Sequence, residues 1–117
     1  MKLITKAIME KLKANNVLSQ KPSGEVDGSS IKPPLKLFGG SACTWLISEI
    51  EPDGDTMFGL CDLGMGFPEM GYVSLGELEA IKFPPFGLPV ERDKSFKPNK
   101  SLSEYAAEAS QQGYIKA

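Results

Sequence analysis

The chain has 117 residues, of which 41% are hydrophobic, 24% charged and 9% aromatic, the balance of one folded domain rather than of a disordered or fibrous chain. At this size folding removes about two-thirds of the unfolded surface from water, enough for a core but not for a core plus a large enclosed active site, which argues against a multi-substrate enzyme. Histidine is absent, so mechanisms that use an imidazole as base, proton shuttle or metal ligand are excluded.

The net charge of −2 conceals an uneven distribution. Met1 to Cys43 carries seven lysines against three acids, and Lys94 to Ala117 four lysines against two acids, whereas Thr44 to Asp93 holds ten acids against Lys82 and Arg92. A nucleic-acid binder concentrates positive charge on its folded part, so direct nucleic-acid binding by this acidic centre is disfavoured. No apolar run reaches about 18 residues, and charge interrupts Met1-Lys2-Leu3-Ile4-Thr5-Lys6 too often for a signal peptide. A cytoplasmic protein without membrane contact is expected.

Leu3, Ile4, Ala7, Ile8 and Leu12 recur at helical spacing opposite Lys2, Lys6, Glu10, Lys11 and Lys13, predicting an amphipathic helix over 3–14 that ends at Asn15-Asn16. Residues 19–32 are Ser, Gly, Pro and charge, a flexible loop. Short β runs follow. Leu35 to Phe38 is a first strand, its preceding prolines suiting a sheet edge; Ala42 to Glu51 is a second, Thr56 to Leu63 a third across the Pro52-Asp53-Gly54-Asp55 turn, and Gly71 to Ser74 a fourth. Ser74-Leu75-Gly76-Glu77 has capping-box spacing and predicts a helix over 75–81. Phe83 to Pro89, with three prolines, is irregular and is expected to wrap the sheet with Phe83 and Phe86 as core plugs. Val90 to Asp93 adds an edge strand, and Ser101-Leu102-Ser103-Glu104 caps a last helix over 102–111. The expected architecture is a single α+β domain over 1–117, an antiparallel sheet of four to five strands with two to three flanking helices, and a frayed tail at 112–117.

Each candidate chemistry has a structural competitor. Cys43 and Cys61 could form a disulfide, part of a metal site or ordinary core. With Leu46 opposite Cys61 they point to opposite faces and no bridge can form, whereas a one-residue slip brings both to one face; reduced buried thiols are the expected state. No zinc site is expected without His or a CxxC pair. Gly64-Met65-Gly66-Phe67-Pro68-Glu69 fails as a dinucleotide fingerprint, having a proline where a helix should start. Asp53-Gly54-Asp55 lacks the further oxygens of a calcium loop. Glu49 and Glu51 share a strand face, as a glycosidase pair might, yet a solvated sheet face does this routinely. Arg92, between Glu91 and Asp93, is either in a structural ion pair with a carboxylate on an adjoining strand or part of a recognition patch. Trp45 is expected in the core. No catalytic residue, cofactor or metal is expected.

Several blocks together resemble a known pattern: Met1 to Thr5, Thr44-Trp45-Leu46-Ile47-Ser48-Glu49, Phe58-Gly59-Leu60, Glu69 to Glu79, and Gly87-Leu88-Pro89-Val90-Glu91-Arg92-Asp93 continuing to Pro98. They are similar to a bacterial family of small uncharacterised proteins, a domain of unknown function, whose members are often encoded on plasmids, prophages and other mobile elements. The resemblance spans most of residues 1–98 and departs in the longer polar loop before Pro33. It implies a context, a host-cytoplasmic accessory protein of mobile DNA, and brings no catalytic residues.

Two function classes follow. The first is a non-enzymatic protein-binding factor whose acidic surface occupies a basic nucleic-acid-handling host protein, for instance as a counter-defence inhibitor, with Glu49, Glu51, Asp53, Asp55, Tyr72, Glu91, Arg92 and Asp93 as partner-binding candidates. The second is a small enzyme or small-molecule binder built on carboxylates and Arg92 in a cleft beside the Pro84-Pro85 loop; a deep pocket lined by Glu49, Tyr72 and Arg92 would favour it, and a convex, filled sheet would count against it.

Overall fold

The structure is a computed structural model that describes residues 3–20 and 28–117. Helix α1 spans Lys6–Ser19, its start capped by Thr5, whose hydroxyl accepts from the Ile8 N–H at 3.2 Å. It runs past the expected stop at Asn15-Asn16. Asparagine weakens a helix interior by bonding to nearby backbone, but here the side chains reach the sheet instead. Asn15 Nδ2 donates to the Ser48 carbonyl at 2.9 Å and Asn16 Nδ2 to Glu49 Oε1 at 3.0 Å, and both residues are buried. Of the expected 19–32 loop, residues 21–27 lie outside the described residues, and Gly28–Ser30 form a 3-10 turn.

The strands are β1 (Leu35–Gly39), β2 (Cys43–Ile50), β3 (Thr56–Asp62), β4 (Glu69–Ser74), β5 (Lys82–Phe83), β6 (Leu88–Pro89) and β7 (Glu91–Arg92). Five form an antiparallel sheet in the order β4-β3-β2-β1-β7, while β5 and β6 pair separately. The first strand is therefore not an edge: β7 pairs with it at Leu37 and Phe38. Its prolines, Pro33 and Pro34, lie just before it, where its pairing with β2 stops at Leu35 opposite Ile47. Beyond that point β2 has no β1 neighbour, and α1 takes its place through Asn15.

Side-chain alternation divides the core between the two faces of the sheet. Leu35, Leu37, Trp45, Ile47, Ile50 and Met57 pack with Leu12 of α1 and with Leu75 and Leu78 of α2 (Leu75–Ala80). On the other face Leu46 and Leu60 lie under Leu102, Tyr105 and Ala109 of α3 (Leu102–Gln112), and Ile115 joins them. A strand covered on both faces reads as a continuous apolar run, which accounts for the burial of β2 from Trp45 to Ile50. Trp45 is core, as expected.

The register holds a β-bulge. Ile50 faces Met57 and Glu49 faces Phe58, the pairing that the turn dictates, but Ile47 then faces Gly59, so Ser48 is an extra residue. Beyond it Trp45, not Leu46, faces Cys61. The slip brings Cys43 and Cys61 to the α1 face, where both are free thiols.

Three further expectations change. Ser74 does cap α2, accepting from the Glu77 N–H at 3.2 Å, but the full box does not form, and the carboxylate that joins the cap is that of Asp55. Asp55 Oδ2 accepts from the Ser74 hydroxyl at 2.7 Å and Oδ1 from the Gly76 N–H at 2.8 Å. Of the two expected plugs only Phe83 serves, half-buried against Gly39, where an added Cβ would lie 2.3 Å from its ring; Phe86 is 83% exposed. The tail folds back, because Ile115 finds an apolar seat and its N–H donates to Asp62 Oδ2 at 3.0 Å. The box at Ser101 and Glu104 forms as expected, with both reciprocal bonds present.

Candidate functional site

The bulge that shifts the register also builds the site. It places Glu49 opposite Phe58, and Phe58 lies opposite Tyr72 on β4, so one row crosses β2, β3 and β4. The Phe58 and Tyr72 rings pack at 5.1 Å between centroids with planes tilted by 56°, an edge-biased geometry that aromatic quadrupoles favour. The last turn of α1 closes over Glu49, whose Oε1 accepts from Asn16 Nδ2 at 3.0 Å and from the Ser19 hydroxyl at 2.9 Å. Glu49 is only 5% exposed, both of its donors among the described residues converge on Oε1, and no buried side-chain oxygen there is left without a partner. Glu49, Glu51, Tyr72, Asn16, Val17, Gln20 and Pro52 line a groove of about 640 Å³. Tyr72 is 66% exposed, so its outer ring face is open.

The adjoining turn is acidic and rigid. Asp53 Oδ1 accepts from the Asp55 and Thr56 N–H groups, each at 2.8 Å, and Oδ2 from the Thr56 hydroxyl at 2.6 Å. Those bonds, the Thr56 hydroxyl foremost, hold the Asp53 carboxyl below the usual carboxylate range. Asp55 fixes the start of α2 as described. Both aspartates thus shape the turn that carries Glu51 and Pro52 into the groove.

The remaining candidates lie at the opposite sheet edge. Arg92 sits opposite Leu37 and lines a separate cleft of about 250 Å³ with Thr5, Ile8, Lys36 and Lys94. Its expected carboxylate partner is not there: among the described residues the ion pair at this edge is Lys36 with Asp93 at 3.5 Å. Asp93 also accepts from the Ser95 N–H at 2.9 Å, and Glu91 is exposed opposite Phe38. The candidate set therefore splits. Glu49, Glu51 and Tyr72 converge beside Asp53 and Asp55, while Glu91, Arg92 and Asp93 stand apart, and among the described residues Glu49 and Tyr72 line one groove and Arg92 another.

Residues 3–116 match the family described as "Protein of unknown function (DUF2958)". The chain belongs to this family. No curated protein and no solved structure matches it. The match extends past Pro98 through α3, so the C-terminal helix is part of the DUF2958 domain.

In this DUF2958 protein the groove residues Asn16, Val17 and Gln20 escaped sequence reading, because the helix was expected to stop before them. The burial of two adjacent asparagines has no one-dimensional signal. A second missed feature is a cleft of about 770 Å³ between the 93–100 segment and α3, lined by Lys97, Lys100, Lys116, Asn99 and Gln112 among others; the lysine-rich C-terminal charge count was its only hint. Lys100 there pairs with Glu108, and that bond raises the ammonium's pKa and lowers the carboxyl's. The thiols are poor nucleophiles: burial pushes Cys61 up to about 11, and burial followed by the Asp62 carboxylate raises Cys43. Among the described residues no three metal-ligating side chains cluster, and no helix is long and apolar enough to cross a membrane.

Chemically, the groove combines a carboxylate fixed by Asn16 and Ser19, a second carboxylate, an open aromatic face and, among the described residues, no cationic lining residue. Such a combination attracts cations, since both the carboxylates and the ring face are negative.

Proposed function

We propose that this DUF2958 protein is a non-enzymatic, protein-binding accessory factor of a mobile genetic element. Its acidic end docks onto a basic, nucleic-acid-handling host protein and occupies that protein's polyanion site, as a counter-defence inhibitor would. The observation that carries this reading is the convergence of Glu49, Glu51 and Tyr72 in one open groove beside Asp53 and Asp55. The mobile-element setting comes from the family resemblance in the sequence. Separation of Arg92 from Glu49 and Tyr72 favours binding over a carboxylate and arginine enzyme, because the cation such a site would need lies at the other sheet edge.

An acidic surface of this kind accelerates encounter with a basic partner and loses that advantage as salt screens it. Affinity capture from a bacterial host should recover a basic nucleic-acid-handling protein at about 50 mM salt, with the complex weakening by about 500 mM. The Glu51→Lys, Tyr72→Ala double variant, both positions being solvent-accessible, should fold normally and lose that protein. Recovery of no partner, or of one held equally by the double variant and at high salt, would count decisively against the reading.

A further inference from the structure

Resting on that reading, we infer that the groove is a receptor for one arginine side chain of the partner. Glu49 supplies the first argument. Its carboxylate lies on a residue only 5% exposed, and Asn16 and Ser19 both hold Oε1. Those bonds set the position of the carboxylate, on a residue that lines the groove, before any ligand arrives. A carboxylate held in place before binding is a preorganised acceptor, and a charged donor strengthens the hydrogen bond it accepts.

The shape of the cation follows from the other walls. Tyr72 presents an open ring face, kept in place from behind by Phe58, and Glu51 lies on the same groove. A planar guanidinium can stack on that ring and still direct its N–H fork at carboxylates, whereas an ammonium on a flexible stem acts as a point charge and satisfies one of the two at a time. Val17 and Pro52 offer apolar surface for the aliphatic stem. A volume of about 640 Å³ exceeds one side chain, so the arginine arrives with its neighbours on an exposed loop or extended segment. A second copy of this chain is a poor donor, because its single arginine, Arg92, is half-buried on β7.

The test is a backbone-amide NMR titration of the full chain with N-acetyl-arginine-amide, N-acetyl-lysine-amide and the neutral isostere N-acetyl-citrulline-amide. The arginine probe should shift Asn16, Gln20, Glu51 and Tyr72, with the lysine probe about threefold weaker and citrulline silent. Glu49→Gln keeps a carbonyl oxygen to accept from Asn16 and Ser19, and should weaken the arginine probe about tenfold at an unchanged thermal midpoint. Tyr72→Leu, at an exposed position, should weaken it about threefold. Citrulline binding as well as arginine, lysine binding as tightly as arginine, shifts confined to other surfaces, or indifference to Glu49→Gln would each overturn the inference. Poly-L-lysine separates the two levels: salt-sensitive binding to it without any arginine-probe response removes the arginine receptor and leaves the acidic docking surface standing, while absence of both removes the surface as well.

Discussion

A Cβ on Gly59 would lie 2.1 Å from the Leu46 carbonyl oxygen and 2.9 Å from Ile47 Cα. Those are backbone atoms of the adjoining strand, drawn close by the bulge, and no rotamer change can move them. Gly59→Ala should therefore lose about 1–3 kcal/mol in urea denaturation, the range of an overpacked core. Gly71, Gly59's cross-strand neighbour on β4, has nothing within 4 Å of an added Cβ, so Gly71→Ala should stay within about 0.5 kcal/mol of the parent; equal effects at the two positions would refute the bulge's role. The thiols give a second residue-scale expectation. Cys61 titrates at about 11 in the folded chain against an ordinary value of 9.0 because burial disfavours the thiolate. The unfolded chain releases that proton first, so the stability contributed by the neutral thiol is complete below about pH 9 and is lost between about pH 9 and 11. Iodoacetamide at pH 8 should modify Cys43 ahead of Cys61 in the native protein, and both faster once urea is added.

At the scale of elements, α1 acts as the missing neighbour of β2. Asn15→Ala would leave the Ser48 carbonyl without its donor at 2.9 Å, and should destabilise by about 1–3 kcal/mol. Val17→Ala, two residues on and 64% exposed, should be close to neutral. The start of α2 offers a parallel contrast. Asp55 binds both the Ser74 hydroxyl and the Gly76 N–H, so Asp55→Ala should cost about 0.5–2 kcal/mol, the usual loss on removing a helix cap, whereas Glu77→Ala should cost less. These two places mark the boundary of what the sequence could disclose. Periodicity and caps located β1 to β4, β7, α3 and the 74–77 signal, since those depend on residues a few positions apart, whereas the β5 and β6 pair fell in the proline-rich segment read as irregular. The extension of α1 and the part that Asp55 takes in the α2 cap depend on partners 33 and 19–21 residues away in the chain, and no local pattern carries that information. The site divided in the same way: Glu49, Glu51 and Tyr72 were legible as an acidic and aromatic set on strands, but their union rests on the Ser48 bulge and on helical turns past Asn16.

For the whole molecule the decisive fact is that one sheet serves two cores. Trp45 belongs to the α1 face, and Leu46, its neighbour in β2, belongs to the α3 face. Neither face can lose its helix without stripping one side of the same strand, and α3 is further tied down by the Ile115 N–H bond to Asp62 on β3. A domain of this size built on a shared strand should unfold in a single step. Leu102 is fully buried on the α3 face, while the chain's single tryptophan reports from the other. Leu102→Ala should therefore destabilise by about 2–5 kcal/mol, the cost of a large-to-small change in a packed core. The loss should appear equally in Trp45 fluorescence and in far-ultraviolet circular dichroism, with the two transitions coinciding before and after the substitution. A fluorescence midpoint left in place while the dichroism transition moves would mean that the α3 face melts alone. The groove, built where α1 meets β2 and β4 on a sheet both cores share, would then keep its geometry in a partly unfolded chain, and ligand binding would cease to report on global stability. Coincident transitions instead make any ligand of the groove stabilise both faces together, by an amount set by its concentration relative to its dissociation constant.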